Sequence, residues 1–149
     1  MLLPRRSMKK ERADDAQISD LAGELFVAAE LLKRRLQTSI TFGNAKANYL
    51  FATHPTTNRK FTIQVKTLRH RNRDYFPIDH RRCSTKNVYV FVVLNKVGEA
   101  VEYYIVPGRS LAESPELFGS AFRAEKVPGI HPKHLTSFKD NWAEFERPS

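Results

Sequence analysis

At 149 residues and 41% hydrophobic content, the chain is sized for one domain with a core of its own, and it needs neither disulfides nor a structural metal to hold together. Its 25 basic and 16 acidic residues leave a net charge of +9, which points to an anionic partner, nucleic acid first, and away from an enzyme with an acidic or neutral surface. The single cysteine, Cys83, excludes a cysteine-rich zinc site and suits a reducing, cytoplasmic setting, Met1-Leu2-Leu3-Pro4 is too short for a signal-peptide core, and the longest apolar run, 88–94, falls far below the roughly 20 residues of a membrane span.

Residues 1–15, with Arg5, Arg6, Lys9, Lys10 and Arg12, read as a flexible basic arm that either keeps the chain soluble or touches phosphate. Residues 16–149 read as one domain. Over 16–35 the apolar side chains Ile18, Leu21, Ala22, Leu25, Ala28, Ala29, Leu31 and Leu32 recur at helical spacing, and Lys33, Arg34 and Arg35 follow where the helix dipole favours cations. Strands are expected at 39–42 and 48–53, separated by a Gly43-Asn44 turn, and then at 60–68, the last two pairing as an antiparallel hairpin. The segment 66–86 is polar and basic and reads as a loop with a short strand or turn. Val88 to Leu94 is apolar without alternation, the pattern of a strand buried on both faces, and 101–106 returns beside it as a second hairpin ended by Pro107-Gly108. A short helix is expected after Arg109 through Leu117, and another over 138–145, where Phe138, Trp142 and Phe145 have the spacing to fasten the tail to the core.

The most informative stretch is Phe61-Thr62-Ile63-Gln64-Val65-Lys66-Thr67. Strict alternation sends Phe61, Ile63 and Val65 to one sheet face and displays Gln64 and Lys66 side by side on the other. On its own this is also the pattern of any exposed polar strand face. With Gly23-Glu24 in the first helix, Gly43-Asn44-Ala45-Lys46-Ala47 before the second strand and Ile63-Gln64-Val65-Lys66-Thr67 in the third, however, the chain resembles the PD-(D/E)XK, restriction-endonuclease-like superfamily, especially its small stand-alone bacterial members. The resemblance covers roughly residues 21–106.

That resemblance implies an α/β fold with a mixed, largely antiparallel sheet of four to five strands flanked by helices. It implies magnesium-dependent hydrolysis of DNA phosphodiesters, with Lys66 positioning the attacking water and Glu24 and Gln64 holding the ion weakly, since a hard cation selects oxygen ligands. Tyr49 stands where the superfamily carries its first aspartate, and Asp20, one helical turn before Glu24, is an acid the resemblance does not ask for. A second reading therefore runs beside the first: a catalytically inactive relative that binds nucleic acid or a protein partner through the same basic face; a protein-interaction subunit joined through the sheet edge or the aromatic tail, or a homodimer, is also open. Tyr49 itself either packs its ring in the sheet or stacks on a base.

Arg69, Arg71, Arg73, Arg81 and Arg82, with Tyr75 among them, suit contact with a nucleic-acid backbone, although such segments are often merely solvated. Asp79-His80 has the opening of an HNH-type metal site but runs into a buried strand instead of a ligand-bearing helix. His131 and His134 have the spacing of two metal ligands, yet nothing completes a tetrahedral set, so they read as surface histidines.

Overall fold

The computed structural model describes residues 5–41, 49–71 and 75–148, the side chains of 5–14 excepted. The expected Gly43-Asn44 turn and Arg73 lie outside the described residues. Helix α1 spans Arg5–Lys33, starting well before the expected residue 16 and running through most of the presumed basic arm. Residues 5–15 contain no glycine, proline or β-branched side chain, so a helix nucleated by the apolar segment meets nothing that stops it extending backward. Its C-terminus is set by Arg35, whose φ of 69° turns the chain left-handed. The Leu36 amide donates to the Leu31 carbonyl and the Arg35 amide to that of Leu32, satisfying the last free carbonyls, while Leu31 and Leu36 are buried in the same cluster.

Among the described residues seven strands follow: β1 (Gln37–Ile40), β2 (Tyr49–Thr53), β3 (Lys60–Leu68), β4 (Phe76–Pro77), β5 (Asn87–Val93), β6 (Glu102–Pro107) and β7 (Gly129–Ile130). Five of them form a mixed sheet in the order β1-β2-β3-β5-β6, antiparallel throughout except for the parallel pair β3 and β5. The protein is thus α/β, with a five-stranded mixed sheet flanked by helices. The expected β2–β3 and β5–β6 hairpins are both present. β5 lies between β3 and β6 and is buried along almost its whole length, as its unbroken apolar sequence requires.

Each sheet face carries its own core. On one face Val27, Ala28 and Leu31 of α1 pack with Leu50, Phe61, Ile63, Val90 and Ile105. On the other, Phe76, Phe91, Tyr104, Leu111, Phe118 and Phe122 pack beneath the irregular C-terminal half. Helix α2 spans Gly108–Glu113, earlier than expected, and the chain continues through short 3₁₀ turns. Gly108 does more than terminate the hairpin: a β-carbon there would sit 1.9 Å from the Ser84 carbonyl oxygen and 2.5 Å from that of Asn87, a backbone approach that only glycine permits.

The expected helix over 138–145 is instead two 3₁₀ turns, Pro132–Phe138 and Trp142–Glu146, broken where Asp140 adopts a φ of 52°. The break separates the three aromatics between the two cores. Phe145 meets Phe61 edge-on at 5.1 Å and Trp142 lies beside Tyr103, whereas Phe138 stacks on Phe118 at 5.6 Å on the far face. Among the described residues, no helix is long and apolar enough to cross a membrane.

Candidate functional site

Because α1 covers the face that receives Phe61 and Ile63, alternation along β3 directs Gln64 and Lys66 to the opposite face. There Gln64 is flanked by Tyr49 of β2 and Tyr89 of β5, its register partners on either side, and Lys66 is paired with Phe91. A parallel β3–β5 pair requires its connection to cross over one face of the sheet, and this one returns over the Gln64 and Lys66 side. The result is a cavity of about 480 Å³ lined by both residues together with Asp79, Arg82, Cys83 and Tyr89. Its far wall, Val127 and Pro128, is tied to the crossover by the β4–β7 pairing and by the Ile78 amide donating to the Pro128 carbonyl at 3.2 Å.

Lys66 is half-buried, and burial lowers its pKa; the charges of Asp20 and Cys83 oppose that shift without cancelling it. Asp20 has its pKa raised by burial, with Lys66 pulling the other way. The two make no ion pair within 4 Å among the described residues, which explains why desolvation prevails on both. On α1, the charge of Asp20 acts on Lys66. Glu24 is buried in the helix, 5% exposed, and does not line the cavity. Gly23 allows this arrangement, since α1 lies so close to β3 there that a β-carbon would fall 1.9 Å from the Thr67 hydroxyl oxygen.

The crossover supplies the rest of the site. Asp79 caps the 3₁₀ turn His80–Arg82 by accepting from the Arg81 amide, and it receives the Arg81 guanidinium through both carboxylate oxygens at 2.9 Å. The side-chain hydrogen bonds from Arg81 hold its pKa down at about 2. Cys83 donates to the Asp79 carbonyl, and burial pushes its thiol up to about 11, so it is no nucleophile at neutral pH. The Tyr89 hydroxyl accepts from the Ser84 amide at 2.9 Å, which fixes the cavity floor to the end of the crossover. Sequence reasoning did not bring Asp79, Cys83 and Tyr89 to this site; recognising β3 and β5 as parallel was the signal that could have.

The basic residues expected to contact nucleic acid separate into two groups. Arg82 lines the cavity and has no ion-pair partner among the described residues. Arg81 is held by Asp79, Arg71 lies 3.5 Å from Glu102, and the Arg69 side chain donates to the Ser19 hydroxyl at 3.1 Å. Tyr75 is exposed and rests edge-on against His131. His131 accepts from the Lys133 amide as the cap of a 3₁₀ turn, and the His134 ring packs over Gly119, so both histidines have structural roles. His80 lies against Phe122 rather than opening a metal site. Among the described residues no group of three or more His, Cys, Asp and Glu could hold a metal ion.

Beside the cavity, the face of β2 is open: Phe51 is exposed, and its ring lies 6.3 Å from that of Tyr49. Comparison with known proteins finds no matching family model, no matching characterised protein and no matching solved structure.

Proposed function

We propose that this chain is a PD-(D/E)XK-like, restriction-endonuclease-like domain that binds nucleic acid, DNA first, across the β3 cleft without hydrolysing it. The observation that carries this reading is Tyr49, directly opposite Gln64, where the resemblance asks for the principal magnesium carboxylate. The donor set does not suit magnesium. Phe42 to Asn48 contain no acid, Glu24 lies outside the cavity, Asp79 is already engaged by Arg81, and Lys66 and Arg82 bring positive charge to the place a divalent ion would take. The same cations suit a phosphate. Tyr49 and Phe51 next to them offer ring faces on which unpaired bases can stack, each such contact being worth about 1–3 kcal/mol.

The test measures fluorescence anisotropy of labelled single- and double-stranded DNA against salt, with a plasmid-nicking assay in magnesium and in manganese. Binding should weaken with salt at a slope of about −0.9 per phosphate contacted on duplex DNA, and Lys66→Ala should make that slope shallower. Metal-dependent nicking that Lys66→Ala abolishes would replace this reading with the hydrolytic one. A flat salt dependence would remove nucleic acid as the ligand.

A further inference from the structure

The outer side of α1 is not used by the fold. Between residues 18 and 32 the helix turns Ile18, Leu21, Ala22, Leu25, Ala29 and Leu32 toward a single direction away from the sheet, with no charged side chain among them. All but the half-buried Ala22 are exposed, not shielded by the C-terminal half: Ile18 is 58%, Leu25 47% and Leu32 55% accessible. The stripe runs four helical turns, about 21 Å at 1.5 Å per residue. Monomeric proteins rarely leave so long an apolar surface open.

We infer that this stripe is the interface of a two-fold symmetric dimer in which α1 packs antiparallel against α1 of a second copy. Three features select a second copy of this chain. First, the stripe is self-complementary about its midpoint: with Leu25 on the axis, Ile18 faces the partner's Leu32, and Leu21 faces the partner's small Ala29, so an apolar residue meets an apolar residue along the seam. Second, the charges agree with the antiparallel sense only. Asp15 is exposed at the start of the stripe and Lys33 at its end, so the antiparallel pair sets Asp15 within a turn of the partner's Lys33, while a parallel pair would set like charges together. Third, the adjoining Phe26 is 44% accessible and widens the stripe, so packing α1 on α1 covers five large exposed apolar side chains from each copy, Ile18, Leu21, Leu25, Phe26 and Leu32.

Nothing in this inference depends on the proposed ligand, because Asp20, Gly23 and the sheet-facing side chains lie on the other side of the helix. The experiment is sedimentation equilibrium of the full chain across micromolar concentrations, together with disulfide trapping in a Cys83→Ser background. The wild type should be a dimer, and Leu25→Glu, which sets two carboxylates on the axis, should raise the dissociation constant about ten-fold or more without changing the circular dichroism spectrum. Under oxidation Leu25→Cys should cross-link to itself, and a mixture of Ile18→Cys and Leu32→Cys should cross-link as a heterodimer while neither does so alone. Self-linking of Ile18→Cys would establish a parallel pair and overturn the geometry. A monomeric wild type, or a dimer indifferent to Leu25→Glu, would overturn the interface itself.

Discussion

Replacing Gly23 with alanine isolates the contact that sets α1 against β3. In an open helix the change would stabilise by about 1 kcal/mol, because glycine is the poorer helix former. Here the new β-carbon would lie 1.9 Å from the Thr67 hydroxyl oxygen and 3.0 Å from its β-carbon and methyl, so helix and strand must separate. Overpacking of this kind costs about 1–3 kcal/mol, and the overlap places it at the upper end; the net loss is therefore about 1–2 kcal/mol, or ~3–6 °C in Tm for a domain of this size. The Thr67 hydroxyl is buried and has no hydrogen-bond partner among the described residues, so Thr67→Ala removes both the obstacle and an unsatisfied polar group at small cost. Urea unfolding followed through the single tryptophan, Trp142, at fixed protein concentration, should show Gly23→Ala destabilising in the wild type and neutral or stabilising in the Thr67→Ala background. Equal effects in the two backgrounds would refute the close-approach reasoning.

Lys66→Met should stabilise the fold at neutral pH by up to about 1 kcal/mol while weakening DNA binding, because the desolvation cost of the half-buried ammonium is only partly offset by the charges around it. Since its pKa is lowered on folding, wild-type stability should increase as pH rises from that lowered value toward 10.5, an increase that Lys66→Met removes in pH-resolved thermal melts. Asp79 has the opposite sign: its contribution is present above the ordinary carboxylate value of 3.8 and is lost as pH falls to about 2, so Asp79→Asn should flatten that part of the acid-unfolding curve. Cys83 should react with Ellman's reagent far more slowly than free cysteine at pH 7.5, and Lys66→Met, by removing the cation that opposes the upward shift, should slow it further.

What could be read from the chain was what local periodicity encodes. The 60–68 alternation gave the boundaries of β3, and the unbroken run from Val88 marked β5 as buried on both faces, because pleating and burial act residue by residue, although the middle strand of the five is β3 and β5 lies next to the edge. The tail was misread for the same reason: Phe138, Trp142 and Phe145 have helical spacing, but the reversal at Asp140 assigns them to opposite faces, and no local pattern records that. The arginines' partners within the fold were hidden in the same way. Arg71 and Arg69 appear free in sequence and are engaged by Glu102 and Ser19, partners distant along the chain that only tertiary structure brings near. Gln64 and Lys66 were legible as a pair, and Asp79, Cys83 and Tyr89 were not, since their place in the cavity follows from a crossover and not from spacing.

The two faces of β3 carry different demands, and Lys66 is where they meet. The apolar face needs α1 close, which Gly23 provides, and that closeness brings Asp20 into electrostatic range of the ammonium on the other side of the strand. The polar face needs the crossover as a wall, and that wall half-buries the same ammonium beside Arg82. Neither Asp20 nor Asp79 neutralises these cations directly: Asp20 stands too far away for an ion pair, and Asp79 is taken by Arg81. A structural lysine would be expected to hold a partner in contact, because a buried charge without one weakens the fold. Among the described residues Lys66 has no ion pair, and on the proposed function an anion entering the cavity would supply the missing countercharge, so that the desolvation cost borne by the free protein would be offset on binding.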